Sequence, residues 1–102
     1  MDKKVIDKMY ADKKAYVEQT LKAMLTPMHD FGSIQYARDV ITNEEYVKLV
    51  EADGYPRYIN VTGNSKEAIG KEVCRMVCHQ TPTGIIKVRE RQIEINKLFG
   101  GR

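Results

Sequence analysis

The chain has 102 residues, of which 42% are hydrophobic and 30% are charged, and its formal net charge is +3. This balance is typical of a single folded domain with one modest core and excludes a disordered chain. No apolar run reaches the roughly 18 residues that a membrane-spanning helix needs, and the first residues lack the apolar core of a signal peptide. We therefore expect a cytoplasmic protein with no membrane partner.

The positive charge is concentrated towards the two ends of the chain. Residues 1–26 carry six lysines against four acidic residues, residues 27–80 carry six basic against eight acidic residues, and residues 81–102 carry five against two. A dedicated duplex-DNA-binding protein usually has a denser basic stripe. The charge therefore permits a nucleic-acid partner without pointing to one.

The first predicted element is an amphipathic helix over residues 3–26. Its apolar residues recur at spacings of three and four, which places them on one face of a helix. Pro27 follows at its predicted end, because the residue before a proline is disfavoured in a helix. A helix of this length offers a surface either to the core or to a second copy of the chain.

Three predicted strands follow. Residues 34–41 are predicted to form the first, and residues 45–50 and 56–62 alternate between apolar and polar residues with a period of two. Asp53 and Gly54 suit a tight connection, since glycine tolerates the positive φ that such turns require. The sequence therefore predicts a three-stranded antiparallel meander.

Two helices are predicted after the meander. The first covers residues 65–80, with either Asn64, paired with Glu67 in a capping box, or Ser65 as its N-cap. The second covers residues 84–99, where a helical spacing of apolar residues ends at Gly100-Gly101. Within it the letters QIEIN alternate as in a strand, so the fully helical interpretation competes with a partly extended one.

These elements predict one α+β domain over residues 1–102. It consists of a long N-terminal helix, a three-stranded antiparallel meander and two C-terminal helices packed on one sheet face. The buried layer of the sheet is predicted to comprise Val47, Leu49, Ile59 and Val61.

The opposite face of the sheet is predicted to be open and to carry the site. Tyr46, Lys48, Tyr58 and Asn60 point outward in this register, joined by Tyr36 and Arg38 if the first strand faces the same way. Aromatic and basic side chains interleaved on a sheet can stack and hold single-stranded nucleic acid, although tyrosine is also an ordinary strand residue. The candidate partner-binding residues are Tyr36, Arg38, Tyr46, Lys48, Asp53, Arg57, Tyr58 and Asn60.

A metal site is a weaker interpretation of the cysteines and histidines. Cys74 and Cys78 lie four apart on a predicted helix and His79 follows, but the only other histidine is the distant His29. A structural zinc ion needs four converging ligands, and His79 would point about 100° away from Cys78. We therefore expect two ordinary core or boundary cysteines, no disulfide between them and no metal.

Catalytic and phosphate-binding motifs are not present in the sequence. No Ser, His and Asp set can be assembled around two histidines that lack a motif. Residues 62–66 have one glycine before Lys66, and Glu67 stands where a P-loop needs Ser or Thr. We expect no catalytic residues and no cofactor, and we interpret residues 58–70 as a joint between strand and helix.

Residues 45–77 resemble a pattern found in small proteins of Firmicutes phages and prophages. The matching residues are Ile59-Asn60-Val61-Thr62-Gly63-Asn64-Ser65, followed by Ala68, Glu72 and Val73. Some phage proteins with this helix–three strands–helix–helix order are anti-CRISPR proteins. The order is also similar to that of the double-stranded-RNA-binding domain, but the paired lysines of that family are missing, since Glu67 follows Lys66.

The resemblance implies a non-enzymatic phage or mobile-element protein that binds and inhibits a host defence component. Its partner would be a CRISPR nuclease or the nuclease's guide-RNA complex. The alternative is a small RNA- or single-stranded-DNA-binding module that uses the aromatic and basic sheet face. A third interpretation is a structural or regulatory phage protein that forms a homodimer through its first helix.

Overall fold

A computed structural model describes residues 3–27, 31–52, 54, 56–78 and 85–100. The four strands form one antiparallel sheet in the order β1-β2-β3-β4, which confirms the predicted α+β class with a long N-terminal helix. In chain order the elements are helix α1 (Lys3–Leu25), strands β1 (Phe31–Arg38), β2 (Glu45–Glu51) and β3 (Pro56–Asn60), helix α2 (Lys66–Cys78), strand β4 (Ile85–Ile86), helix α3 (Arg89–Asn96) and a 3-10 turn (Lys97–Phe99).

The main core lies between one face of the sheet and the helices α1 and α2. The apolar residues of α1 at this core are four apart, so they line a single stripe of the helix. The predicted sheet layer is confirmed, and Tyr36 of β1 joins it because it pairs with Val47. The buried members are Val17, Leu21, Leu25, Tyr36, Val47, Leu49, Ile59, Val61, Ile69, Val73, Met76 and Val77.

The second face of the sheet is covered by α3 and the 3-10 turn. Tyr46, Tyr58 and Ile95 are buried there, with Ile86, Leu98 and Phe99 packed against them. The two C-terminal helices therefore lie on opposite faces of the sheet, whereas the sequence predicted that both would lie on one. Tyr46 of β2 and Tyr58 of β3 point to the same face of the sheet. Burying their rings beneath α3 stabilises the packing of this helix on the sheet.

Strand β4 replaces the first turn of the helix that was predicted over residues 84–99. Ile85 and Ile86 pair with Ile59 and Tyr58 on the outer edge of β3, and residue 84 lies outside the described residues. An unpaired strand edge offers a row of main-chain donors and acceptors, so the two β-branched residues extend there and the helix begins at Arg89. The predicted stop is confirmed at Gly100, whose φ is +78°.

The connection between β3 and α2 contains the expected glycine turn, and it shows which of the two candidate residues caps α2. Gly63 adopts a φ of +82°, which glycine reaches without strain. The Ser65 hydroxyl accepts the main-chain N–H of Ala68 at 3.2 Å, so Ser65 caps the helix. Asn64 instead contributes its main-chain carbonyl, which accepts a hydrogen bond from Lys13 at 2.8 Å.

Candidate functional site

The sheet face predicted to be open is closed by α3. Tyr46 is 2% exposed and Tyr58 is 3% exposed, and the rings of Tyr58 and Phe99 lie 6.4 Å apart. The expectation of an open aromatic face is wrong, because the register of β2 and β3 points these rings at a helix rather than at solvent. Stacked nucleic-acid bases have no access to them.

The remaining candidates are divided between the two faces. Tyr36 is buried on the opposite face, and Arg38 shares its parity in β1. Arg57 pairs with Leu49 on that same face and binds Glu51 at 2.6 Å. Asp53 lies outside the described residues. The eight candidates therefore do not form one surface. The sequence left the orientation of β1 undecided, and in the structure Tyr36 faces away from Tyr46 and Tyr58.

Lys48 and Asn60 do lie on the face that was predicted for them. The Lys48 ammonium donates to the side-chain carbonyl of Asn96 at 2.6 Å and lies 5.7 Å from the centre of the Tyr58 ring. Asn60 is exposed at the edge, where its side chain accepts the N–H of Thr62 at 2.9 Å. Lys48 thus links α3 to the sheet, and its ammonium group is bound by Asn96 within the domain.

Glu45 is the buried charged residue among those that the structure describes. Its carboxylate accepts hydrogen bonds from the Lys13 ammonium at 2.5 Å, from the Tyr36 hydroxyl and from the N–H of Gly63 at 3.0 Å. The group lies beside a cavity of about 530 Å³ between α1, the β1–β2 hairpin and the β3–α2 joint.

The electrostatics of Glu45 favour a structural role. Burial opposes its ionisation, but the hydrogen bonds from Lys13, Tyr36 and Gly63 outweigh this and hold the pKa of Glu45 below its ordinary value. Burial and the Glu45 carboxylate together raise the pKa of Tyr36. A carboxylate that accepts three hydrogen bonds is a weaker base than a free one, and these bonds tie α1 to the sheet.

A second polar cluster joins α3 to the start of β2. The Arg91 guanidinium contacts Glu44 at 2.5 Å and Glu94 at 2.8 Å. It also donates to the Tyr46 hydroxyl at 2.7 Å, and that hydroxyl donates to Glu44. Burial and the bond to Glu44 raise the pKa of Tyr46 to about 12. Every charge in this cluster is paired, which is again typical of a structural contact.

The tip of the β1–β2 hairpin, residues 39–43, is an exposed turn with several internal hydrogen bonds. The Asp39 carboxylate accepts the N–H of Ile41 at 2.8 Å and that of Thr42 at 3.3 Å. The main-chain carbonyl of Asp39 accepts the N–H of Asn43 at 2.7 Å. The bond from Ile41 is the main cause that lowers the pKa of Asp39. Asn43 adopts a φ of +65°, which asparagine tolerates better than most residues.

This hairpin tip presents two adjacent aliphatic side chains to solvent. Val40 is 86% exposed and Ile41 is 88% exposed. Arg38 stands beside them and donates to the Asn43 side chain at 2.6 Å. Single exposed apolar residues are ordinary, but a neighbouring pair on a hydrogen-bonded turn forms a small apolar projection. Its apolar surface is available for contact with another molecule.

Sequence reasoning missed the hairpin tip because it extended the first strand through Val40 and Ile41. β-Branched residues favour strands, and the period-two pattern gave no reason to stop. The signal was Asp39, whose short carboxylate can cap the two following N–H groups, together with Thr42 and Asn43. An Asx turn in this position ends the strand at Arg38.

The described part of the chain contains no group of three or more His, Cys, Asp or Glu residues that could hold a metal ion. Cys74 lies half-buried against the core, as expected. The side chain of Cys78 and both histidines lie outside the described residues, so the four-ligand set is untested. Within the described ranges, no helix is long and apolar enough to cross a membrane.

Comparison with known proteins gives no relative from which a role could be transferred. The chain matches no protein-family model, no curated protein and no solved structure. Its candidate site is therefore defined by its own geometry, in which the exposed hairpin tip stands apart from two internally satisfied polar clusters.

Proposed function

We propose that this domain acts by binding another protein, with the hairpin tip of residues 39–43 as its contact. The observation that carries the proposal is the exposure of Val40 and Ile41 on a turn in which Asp39 accepts two main-chain N–H groups. A turn that is already hydrogen-bonded loses less conformational entropy on binding than an irregular loop does, so more of its burial contributes to affinity. The partner is expected to offer an apolar pocket of matching size.

The titratable groups favour binding over catalysis. Glu45 accepts hydrogen bonds from three donors, and Glu44, Glu94 and Tyr46 are bound by Arg91. A general acid or base needs a proton position that is open to substrate and a pKa near the working pH. The pKa values of Glu45 and Glu44 are lowered and those of Tyr36 and Tyr46 are raised, away from the neutral range, and the partners of these groups are elements of the same fold.

The proposed partner is a host defence protein, with a CRISPR nuclease or its guide-RNA complex as the specific candidate. The support is the resemblance of residues 59–73 to a pattern of small phage proteins that includes anti-CRISPR proteins. Blocking such a nuclease requires a stoichiometric contact and no chemistry, and this agrees with the paired charges described above. The proposal implies a cytoplasmic location in the host cell.

The alternative of stacking single-stranded nucleic acid on the sheet loses its main support. That mode needs accessible aromatic rings, whereas Tyr36, Tyr46 and Tyr58 are at most 3% exposed. The mild basic excess of the whole chain remains, but it does not define a surface.

A plasmid-protection assay tests the proposal. The chain is expressed in cells in which one of several CRISPR nucleases cleaves a target plasmid, and the surviving transformants are counted. We expect protection against at least one nuclease type, and loss of protection in Val40→Asp/Ile41→Asp. The matched control is Val88→Asp/Ile93→Asp, which places the same charges on other exposed apolar residues and should still protect.

Two results would contradict the proposal in different ways. Failure to protect against every nuclease tested would remove the defence nuclease as the partner. Protection that survives Val40→Asp/Ile41→Asp would leave the inhibitor but remove the hairpin tip as its contact. Circular dichroism of each variant establishes that the fold is retained.

A further inference from the structure

Among the residues that the structure describes, no strand pairs with the outer edge of β1. Strand β1 pairs with β2 on one side and is the first strand in the sheet order. The exposed edge of a sheet can add another strand through its unpaired main-chain N–H and C=O groups. The contacts along this edge therefore decide whether it is available.

Helix α1 blocks the edge at one position. The Glu18 carboxylate accepts the main-chain N–H of Tyr36 at 2.8 Å, and the Lys14 ammonium donates to the main-chain carbonyl of Tyr36 at 3.0 Å. Lys14 and Glu18 also bind each other at 2.6 Å. These two side chains, which we call the edge clamp, occupy the positions that an added strand would use at Tyr36.

The clamp also reveals which other residues face the edge. In an antiparallel pair, alternate residues point their main-chain groups to the partner strand and away from it. Because those of Tyr36 point away from β2, those of Ile34 do so as well. Strand β2 follows the same alternation. Glu45, which lies opposite Arg38, directs its N–H and C=O away from β1, to Thr62 and Val61.

Ile34 lines a groove beside the edge clamp. The groove has a volume of about 340 Å³ and lies between α1 and the first half of β1. Phe31 and Ile34 supply partly buried apolar surface. The α1 wall carries residues four apart on one helix face. The groove is lined by Glu18, Gln19, Lys22, Thr26, Phe31, Gly32, Ser33 and Ile34.

We propose that this groove binds a short extended segment of another polypeptide, which adds to β1 as a strand opposite Ile34. One residue of that segment exchanges two main-chain hydrogen bonds with Ile34. An apolar side chain of the segment packs on Phe31 and Ile34. An acidic side chain pairs with Lys22, which is exposed and has no ion-pair partner in the described part of the chain.

The edge clamp favours a peptide over a second copy of the chain. Two copies pairing through β1 would need a long unpaired edge on each side. The clamp interrupts that edge at Tyr36, and the pairing of β1 with β2 is irregular between Phe31 and Ser33. Between that irregularity and the clamp, Ile34 is the residue whose main-chain groups face the edge. An edge with one outward-facing residue suits a short segment.

Peptide selection on the intact chain tests the groove. A phage-displayed library of random short peptides is panned against the protein, and enriched peptides are synthesised and titrated by fluorescence polarisation. We expect the enriched sequences to combine apolar and acidic residues in alternation. Their binding should slow exchange of the Ile34 amide with solvent, while the Gln35 amide, which points to β2, stays protected throughout.

Two variants address the groove specifically. Ile34→Pro removes the outward N–H without removing a bond to β2, and edge strands tolerate proline in that position; we expect peptide affinity to fall about tenfold. Lys22→Glu reverses the charge on the α1 wall and should also weaken binding, whereas the matched Lys71→Glu on exposed α2 surface should not. The lysine pair remains informative if Ile34→Pro does not fold.

Several outcomes would overturn the proposal. One is the absence of any enriched peptide, and another is enriched peptides whose affinity neither Ile34→Pro nor Lys22→Glu changes. Protection of the Ile34 amide that depends on protein concentration alone would assign the edge to a second copy. The groove is independent of the hairpin tip, so Val40→Asp/Ile41→Asp should bind the selected peptides normally whether or not the proposed function holds.

Discussion

Glu18 accepts the main-chain N–H of Tyr36 across the boundary between helix α1 and strand β1, at 2.8 Å. Covering a strand with a helix is one way in which proteins protect the edge of a sheet from further pairing. With Lys14 on the carbonyl of the same residue, the contact both attaches the helix to the sheet and shortens the free edge of β1.

Glu18→Ala should therefore destabilise the domain and promote self-association. It leaves the Tyr36 N–H without its acceptor, which should lower the free energy of unfolding by about 1–2 kcal/mol. It also lengthens the unclamped edge of β1. Urea denaturation measures the first effect, and sedimentation equilibrium measures the second.

Glu72→Ala is the matched control for that measurement. Glu72 also forms an ion pair within its helix, with Arg75 at 2.9 Å, but the pair is exposed. Exposed pairs contribute little to stability. Equal stability losses in the two variants, or a monomeric Glu18→Ala protein at all concentrations, would contradict the role assigned to the clamp.

The Glu45 cluster should make stability fall in acid. The folded-state pKa of Glu45 lies below its ordinary value of 4.5, so the unfolded chain binds more protons as the pH drops. Stability from this group is complete above that ordinary value and is lost as the pH falls through the folded pKa. We expect Glu45→Gln to lower the free energy of unfolding at pH 7 by about 2 kcal/mol and to flatten its decline below about pH 5.

Denaturant titrations across the acidic range measure this effect, with Glu67→Gln as control. Glu67 is exposed on α2 and accepts no hydrogen bond from the described residues, so its replacement should leave the slope unchanged. A Glu45→Gln protein with the original pH dependence would assign the acid sensitivity to other carboxyl groups, such as Asp39 and Glu44, whose pKa values are also lowered.

The cap of α2 can be assigned by two substitutions. Ser65→Ala removes the hydroxyl that accepts the N–H of Ala68, and should cost about 1 kcal/mol of stability. Asn64→Ala should cost much less, because Asn64 uses its main-chain carbonyl to accept from Lys13. Thermal unfolding of both variants measures the difference, and a larger loss for Asn64→Ala would restore the capping box as the correct interpretation.

Two isoleucines of α3 test whether that helix closes the second face of the sheet. Ile95 is 2% exposed against Tyr46 and Tyr58, whereas Ile93 is 51% exposed. Ile95→Ala should destabilise the domain by about 2–4 kcal/mol, as expected for a truncated core residue. Ile93→Ala should cost well under 1 kcal/mol. Acrylamide quenching of tyrosine fluorescence should increase in Ile95→Ala, and unchanged quenching would argue that α3 does not cover the rings.

Local patterns determined most of the elements. The apolar spacing of residues 3–26 specifies a helix wherever it packs, and α1 ends at Leu25, one residue before the predicted end. The alternation around Val47 and Ile59 likewise specifies two strands and the buried layer between them. Such periods arise from the geometry of the single element, so they can be read without knowing its neighbours.

The tertiary structure decided the facing of the tyrosines, the path of residues 85–86 and the exposed surface of the hairpin tip. Tyr46 and Tyr58 alternate as surface residues would, and only the position of α3 buries them. Ile85 and Ile86 extend because β3 offers an unpaired edge. Each of these outcomes depends on contacts between residues far apart in sequence, and the period of a single segment carries no information about which surface it will meet.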